Sequence, residues 1–180
     1  MERRRFLKAL GLAGATAAFP AAWDSGPGGA AMARKTGATG QQVPKIDRSE
    51  EEWREILPED RFRILFDEET EPRGTSPLLE EERDGTYICA ACFFPLFPSD
   101  TKFESGTGWP SFYRPIEGHV ETKRDFKLIF PRTEYHCARC GGHQGHVFDD
   151  GPPPTGKRYC NNGLALQFVP EGEELPELRT

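Results

Sequence analysis

The sequence predicts a mainly β domain with short amino-terminal helices, on three observations. Nineteen glycines and sixteen prolines interrupt the apolar runs every few residues, which favours many turns over long helices. Thirteen phenylalanines and three tryptophans supply a core for such a fold. The 180 residues leave room for one domain of ordinary size plus extra sequence at an end. A formal net charge of -6 argues against a nucleic-acid partner, since phosphate binding needs clustered Lys and Arg. Small molecules and other proteins are the expected partners.

Residues 1–33 read as an export signal. A basic cluster of Arg3, Arg4, Arg5 and Lys8 runs into small apolar residues from Ala9 to Ala22, a stretch too short and too weakly hydrophobic to span a bilayer comfortably. Arg3-Arg4-Arg5-Phe6-Leu7-Lys8 resembles the twin-arginine pattern, although Glu2 stands where Ser or Thr is usual, and Ala31-Met32-Ala33 offers a cleavage site. The alternatives are an unprocessed basic tail and an uncleaved anchor. Cleavage after Ala33 removes four basic and two acidic residues, so the mature chain carries a net charge near -8 and works outside the cytoplasm, with no stable membrane insertion of its own. Residues 34–47 have almost no large apolar side chain and read as a flexible linker that contributes nothing to a core. The domain proper is expected over residues 48–180.

Within it, Ser49 followed by Glu50, Glu51 and Glu52 is a helix start of the capping-box type, leading into Trp53, Ile56 and Leu57. Pro58 ends that helix and opens a second, with Phe62, Leu65 and Phe66 on one side. Beyond Gly85 the pattern turns to short strands: GTYICAAC from Gly85, FKLIFPR from Phe126, EYHCARC from Glu134, GHVFDDG from Gly145 and GLALQFVP from Gly163, separated by Gly, Pro and Asp. RYCNNGLALQF, from Arg158, reads as an alternating strand with a lone cysteine, Cys160, at its mouth.

The other four cysteines form two Cys-x-x-Cys pairs, Cys89 with Cys92 and Cys137 with Cys140. Each follows a β-like stretch, and each spacing lets a tight turn aim two thiolates at one ion. Gly141-Gly142 supplies the permissive backbone and free N–H groups that a knuckle around a metal-bound sulfur requires. An all-cysteine set favours one closed, structural Zn ion per chain, with no position open for water or substrate. Redox-active dithiols and another metal are the alternatives; disulfides within such short loops are strained.

Three stretches together resemble the peptide methionine-R-sulfoxide reductases of the B type: Phe103 to Phe112 (FESGTGWPSF), His143 to Cys160, and the paired cysteines. The likeness runs from about Leu57 to Pro170. It implies a zinc-knuckle β fold of two small antiparallel sheets. It also implies reduction of protein-bound or free methionine-R-sulfoxide by Cys160, which is left as a sulfenic acid. His146 and His143 match the family's active-site histidines, His146 as proton donor, and an imidazolium there would favour the Cys160 thiolate. Trp109 matches the residue that packs against the substrate methyl group. Asn162 and Arg158, two residues to either side of Cys160, share its side of an extended segment. Asn162 can then hold water or the sulfoxide oxygen, and Arg158 can lower the thiol pKa unless it is a solvated surface arginine.

Two departures from the family bear on mechanism. Gly163 stands where the family usually has Ser, and Thr107 stands where many relatives carry a resolving cysteine. With four cysteines on zinc, Cys160 then has no partner in the chain, and a thioredoxin-like protein or a small thiol has to supply the electrons. The competing reading is a non-catalytic zinc-binding interaction module, which has no need of Cys160, His146, His143, Asn162 and Trp109 together.

Overall fold

The computed structural model of the chain describes residues 43–126 and 131–180. The signal reading of residues 1–33 falls outside the described residues, as does most of the expected linker. The linker reading needs correction at its end. Ile46 packs against the core and donates its backbone N–H to the Arg139 carbonyl at 2.8 Å, while Lys45 pairs with Glu121 at 2.8 Å. One apolar residue in a polar stretch is enough to tie the segment down.

Helix α1, Glu50–Ile56, starts on the expected capping box: Glu52 donates its N–H to the Ser49 hydroxyl at 3.3 Å and returns its carboxylate to the Ser49 N–H at 2.8 Å. Pro58 separates it from α2, Glu59–Leu65. Their apolar faces meet around Trp53 and Phe66, whose rings stack at 5.4 Å, and bury Phe62, Ile64 and Leu65.

The strands form two antiparallel sheets. The smaller has the order β2-β1-β9, from β1 (Gly85–Cys89), β2 (Pro95–Pro98) and β9 (Leu166–Pro170). The larger has the order β3-β4-β8-β7-β6-β5. Its strands are β3 (Lys102–Phe103), β4 (Ser111–Phe112), β5 (Val120–Asp125), β6 (Arg132–Cys137), β7 (His143–Phe148) and β8 (Arg158–Asn161).

One strand reading falls mostly outside the described residues and another is corrected. The expected strand Phe126 to Arg132 falls mostly outside the described residues, which omit 127–130; Phe126 is 68% exposed, and the strand described before β6 is the polar stretch Val120–Asp125. An edge strand with four consecutive exposed residues carries no apolar alternation to read. RYCNNGLALQF is not one strand. β8 stops at Asn161, a 3-10 turn covers Gly163–Ala165, and β9 continues in the other sheet.

An aromatic ladder joins the sheets. Phe97 of β2 stacks on Phe112 of β4 at 4.3 Å and 14°, and meets Tyr135 of β6 edge-on at 6.1 Å. Tyr87 of β1 meets Phe112 at 4.9 Å, and Tyr135 meets Tyr159 of β8 at 5.2 Å. Rings tilted or offset in this way add to the free energy of burial. Truncating the shared ring by Phe97→Ala is expected to cost about 3–5 kcal/mol, read by thermal unfolding as one transition at lower temperature. A loss below about 1 kcal/mol would show that the ladder does not hold the sheets together.

Candidate active site and metal centre

Cys160 sits at the centre of the larger sheet. Its register partners are Ser111 on β4 and His146 on β7, and directly opposed residues of an antiparallel pair share a face. β7 approaches β8 closely because residue 145 is glycine: a Cβ there would fall 1.9 Å from the Cys160 carbonyl oxygen. A pocket of about 130 Å³ opens over the pair, lined by Trp109, His146, Cys160 and Asn162 with Thr70, Arg132, Gly145, Phe148 and Asn161. Four of the predicted residues therefore converge on one cavity.

His146 is anchored by an acid that the sequence reading missed. Its Nε2 lies 2.7 Å from Asp125 Oδ2, and the same carboxylate oxygen accepts from Arg132 at 2.8 Å. This places the imidazole proton on Nε2 and leaves Nδ1 as the acceptor nitrogen. Burial lowers the His146 pKa below its ordinary value, with Arg132 and His143 acting the same way against the opposing pull of Asp125. That direction favours the neutral imidazole over the expected imidazolium. His143 does not line the pocket. It is buried behind His146, ring centroids 5.5 Å apart, with Nδ1 2.9 Å from Glu134, itself paired with Lys123 at 3.0 Å.

Burial also raises the pKa of the half-buried Cys160 thiol above its ordinary value; the Arg158 charge and hydrogen bonds from Thr107 and Arg158 oppose that rise. Arg158 is not a solvated arginine. It is 7% exposed, held by two bonds to Asp150 at 2.8 and 2.9 Å and stacked on Phe148 at 4.4 Å. Thr107 sits beside the thiol in a chain of hydroxyls: Ser105 is 2.8 Å from both Thr107 and Ser111.

Asn162 lines the pocket, but its amide is engaged with the backbone: Oδ1 accepts from the Glu71 N–H at 3.1 Å and Nδ2 donates to the Gln144 carbonyl at 3.1 Å. Glu71, in a loop without regular structure, is the second residue that the sequence reading missed. Its carboxylate accepts from Gly163 at 2.6 Å and Leu164 at 3.0 Å, and its carbonyl accepts from the Trp109 indole at 3.1 Å. One buried residue thus ties the pocket's tryptophan to the turn after the thiol. Gly163 also has a local reason: a Cβ there would fall 1.9 Å from the Ser76 hydroxyl.

The remaining four thiols cluster at the other end of β6 and β7. All four sulfurs lie within 4.8 Å of one another, with Cys89 to Cys140 at 3.7 Å and Cys92 to Cys137 at 3.6 Å. Tetrahedral bonds of about 2.3 Å to zinc require S···S edges of about 3.8 Å, so the spacing suits a metal ion and is too wide for disulfides. The two loops share one backbone geometry. Phe93 and Gly141 each donate an N–H to the first cysteine's carbonyl at 2.9 Å, and both have positive φ, 64° and 74°. Gly141 was legible as such a position; Phe93, in a conformation that favours glycine, was not. Burial pushes the Cys89 thiol up, so a full set of thiolates needs a cation. The residues present can hold a metal ion.

Fold and site define a β domain with a four-cysteine knuckle and a sheet-borne thiol–imidazole pair. The SelR domain family matches residues 57–170. The peptide methionine sulfoxide reductase MsrB of Leptospira interrogans is 48% identical over 128 residues, covering 71% of this chain and 98% of the relative. The proteins of the same name from Agrobacterium fabrum and Pseudomonas putida are 50% and 51% identical, covering 71% of this chain and 95% and 97% of the relatives. The chain belongs to the SelR-domain family of MsrB-type reductases.

Because burial holds the Cys160 thiol above the ordinary thiol range, its alkylation by iodoacetamide should rise about tenfold per pH unit through neutral and mildly alkaline pH. Arg158→Met removes a cation that favours the thiolate and leaves Asp150, already 62% exposed, in water. Alkylation at pH 8 should slow by roughly three- to tenfold, with the inflection moved upward. An unmoved inflection would show that Arg158 has no hold on the thiol.

Proposed function

We propose that this chain reduces methionine-R-sulfoxide, protein-bound or free, to methionine. The observation that carries the reading is the Cys160–His146 pair beneath Trp109, in a chain about half identical to MsrB-named proteins over nearly their whole length. The pocket suits a small apolar S-methyl group against an indole face.

The proton balance follows from the neutral pair. His146 Nδ1 accepts the Cys160 proton, the thiolate attacks the sulfoxide sulfur to form an S–S bond, and the same proton passes to the oxygen as the S–O bond breaks, releasing hydroxide. Hydroxide adds to Cys160 Sγ as the S–S bond breaks, so methionine leaves, Cys160 is left as a sulfenic acid, and no net proton is taken up. Asp125 keeps the imidazole in the required tautomer; His143, with Glu134 behind it, supports the ring and touches no substrate. Asn162 and Glu71 hold the turn, and Arg158 offsets the cost of the buried thiolate.

In this reading the knuckle cysteines hold one structural zinc ion. Thr107, beside the thiol, cannot form a disulfide. Two equivalents of an external thiol, from a thioredoxin-like protein or a small molecule, then return the sulfenic acid to thiol with release of water and a disulfide. The amino-terminal pattern supports export by a twin-arginine route, with a mature end near Arg34.

Incubation with dithiothreitol and mixed sulfoxide epimers should consume the R epimer alone, and Cys160→Ser should abolish turnover. Without reductant, dimedone should trap sulfenic acid on Cys160. No loss of the R epimer contradicts the enzyme reading. A disulfide from Cys160 to a knuckle cysteine, with metal released, contradicts the external-thiol cycle.

A further inference from the structure

The last residues of the chain lie beyond the family match, which ends at Pro170, and they return to the knuckles. The Arg179 backbone N–H donates to the Cys92 carbonyl at 3.2 Å. Its guanidinium donates through Nη1 to the Ala91 carbonyl at 3.0 Å, inside the first Cys-x-x-Cys loop, and lies over the Phe93 ring at 4.1 Å. The second loop reaches the same residue from the other side: Arg139, 8% exposed between Cys137 and Cys140, donates to the Arg179 carbonyl. Arg139 also accepts the Ile46 N–H through its own carbonyl, and Arg48 donates to the Thr180 carbonyl, so chain from before α1 joins the same seam.

These contacts fall at a place with a specific electrostatic need. A divalent ion bound by four thiolates leaves a centre of net charge -2, and three of the four cysteines are fully buried. The Arg179 guanidinium, bonded to the Ala91 carbonyl within the first loop, brings opposite charge beside that centre, and its face covers Phe93. The three loop carbonyl and ring contacts involve only residues of the first knuckle, and the Arg139 bond involves the second. Separation of the two loops therefore has to break either the first-loop contacts or the Arg139 bond.

We propose that Arg179 and the carboxy-terminal segment carrying it form an outer clamp on the four-cysteine centre, which slows loss of the metal by offsetting its charge and by bridging both loops. The inference rests on the reading of those cysteines as a metal centre. It assigns Arg179 no part in the reaction: none of its contacts is with a residue of the Cys160 pocket.

The test uses the full chain, loaded with zinc, as wild type, Arg179→Met and Arg179→Lys. Metal content is measured first, and release is then followed with the chromogenic chelator 4-(2-pyridylazo)resorcinol. Arg179→Met keeps length and loses charge and fork; it should release zinc about tenfold faster or more, the scale on which outer contacts act at metal sites. Arg179→Lys keeps the charge alone and should fall between. Sulfoxide reduction by the loaded variants should match wild type. Zinc-free wild type overturns the metal reading itself. A wild type that holds zinc and an Arg179→Met variant that releases it within about twofold of the wild-type rate overturn the clamp alone. Failure of Arg179→Met to retain any zinc, with Arg179→Lys still loaded and folded, supports it.

Discussion

Four sulfurs brought within 4.8 Å of one another are the constraint on which this structure depends. Cys89 ends β1 of the smaller sheet, and Cys137 ends β6 of the larger, so the cluster joins two hairpins that share no strand. β7 leaves the second loop directly, through Gly142 and into His143, Gln144 and His146. The Gln144 amide reaches back to Cys89 Sγ at 3.5 Å, while its carbonyl receives both the N–H and the side-chain amide of Asn162. Two hydrogen-bonded steps thus connect a metal-type thiol to the turn that follows Cys160.

In that frame burial works against charge on both members of the proposed reacting pair. Burial raises the Cys160 thiol and lowers His146, so an apolar pocket holds a thiol and an imidazole rather than an ion pair. The charges stand one layer back, on Asp125 with Arg132 and on Arg158 with Asp150, each set fixed by bonds of 2.7 to 2.9 Å. This suits a reaction in which one proton moves from sulfur to oxygen and charge need exist only between those events. Glu71 serves the same end sterically, holding Trp109 and the Gly163 turn through four hydrogen bonds.

Sequence patterns reveal whatever is local and repeated. The capping box at Ser49, the Pro58 break, both Cys-x-x-Cys loops and the shared parity of Arg158 and Cys160 were readable because each depends on neighbours a few residues apart. β5 was not readable, since an edge strand with polar outer residues has no alternation. Nor was the break after Asn161, because Asn162 keeps an extended backbone (φ -69°, ψ 125°) while the chain passes from one sheet to the other. Asp125 and Glu71 stayed hidden for a third reason. Asp125 meets His146 across 21 residues of chain and Glu71 meets Asn162 across 91, and an acidic residue in a loop or at a strand end gives no sign of what it will meet.

The account stands on the claim that a metal held by the two knuckles is part of the fold, since binding energy at such a site is folding energy. Metal analysis of the purified chain beside equilibrium unfolding of wild type and Cys137→Ser tests it most directly. The account predicts about one zinc per wild-type chain, and a Cys137→Ser variant that binds none and shows no cooperative transition. A wild-type chain free of metal that unfolds in one cooperative step would contradict it.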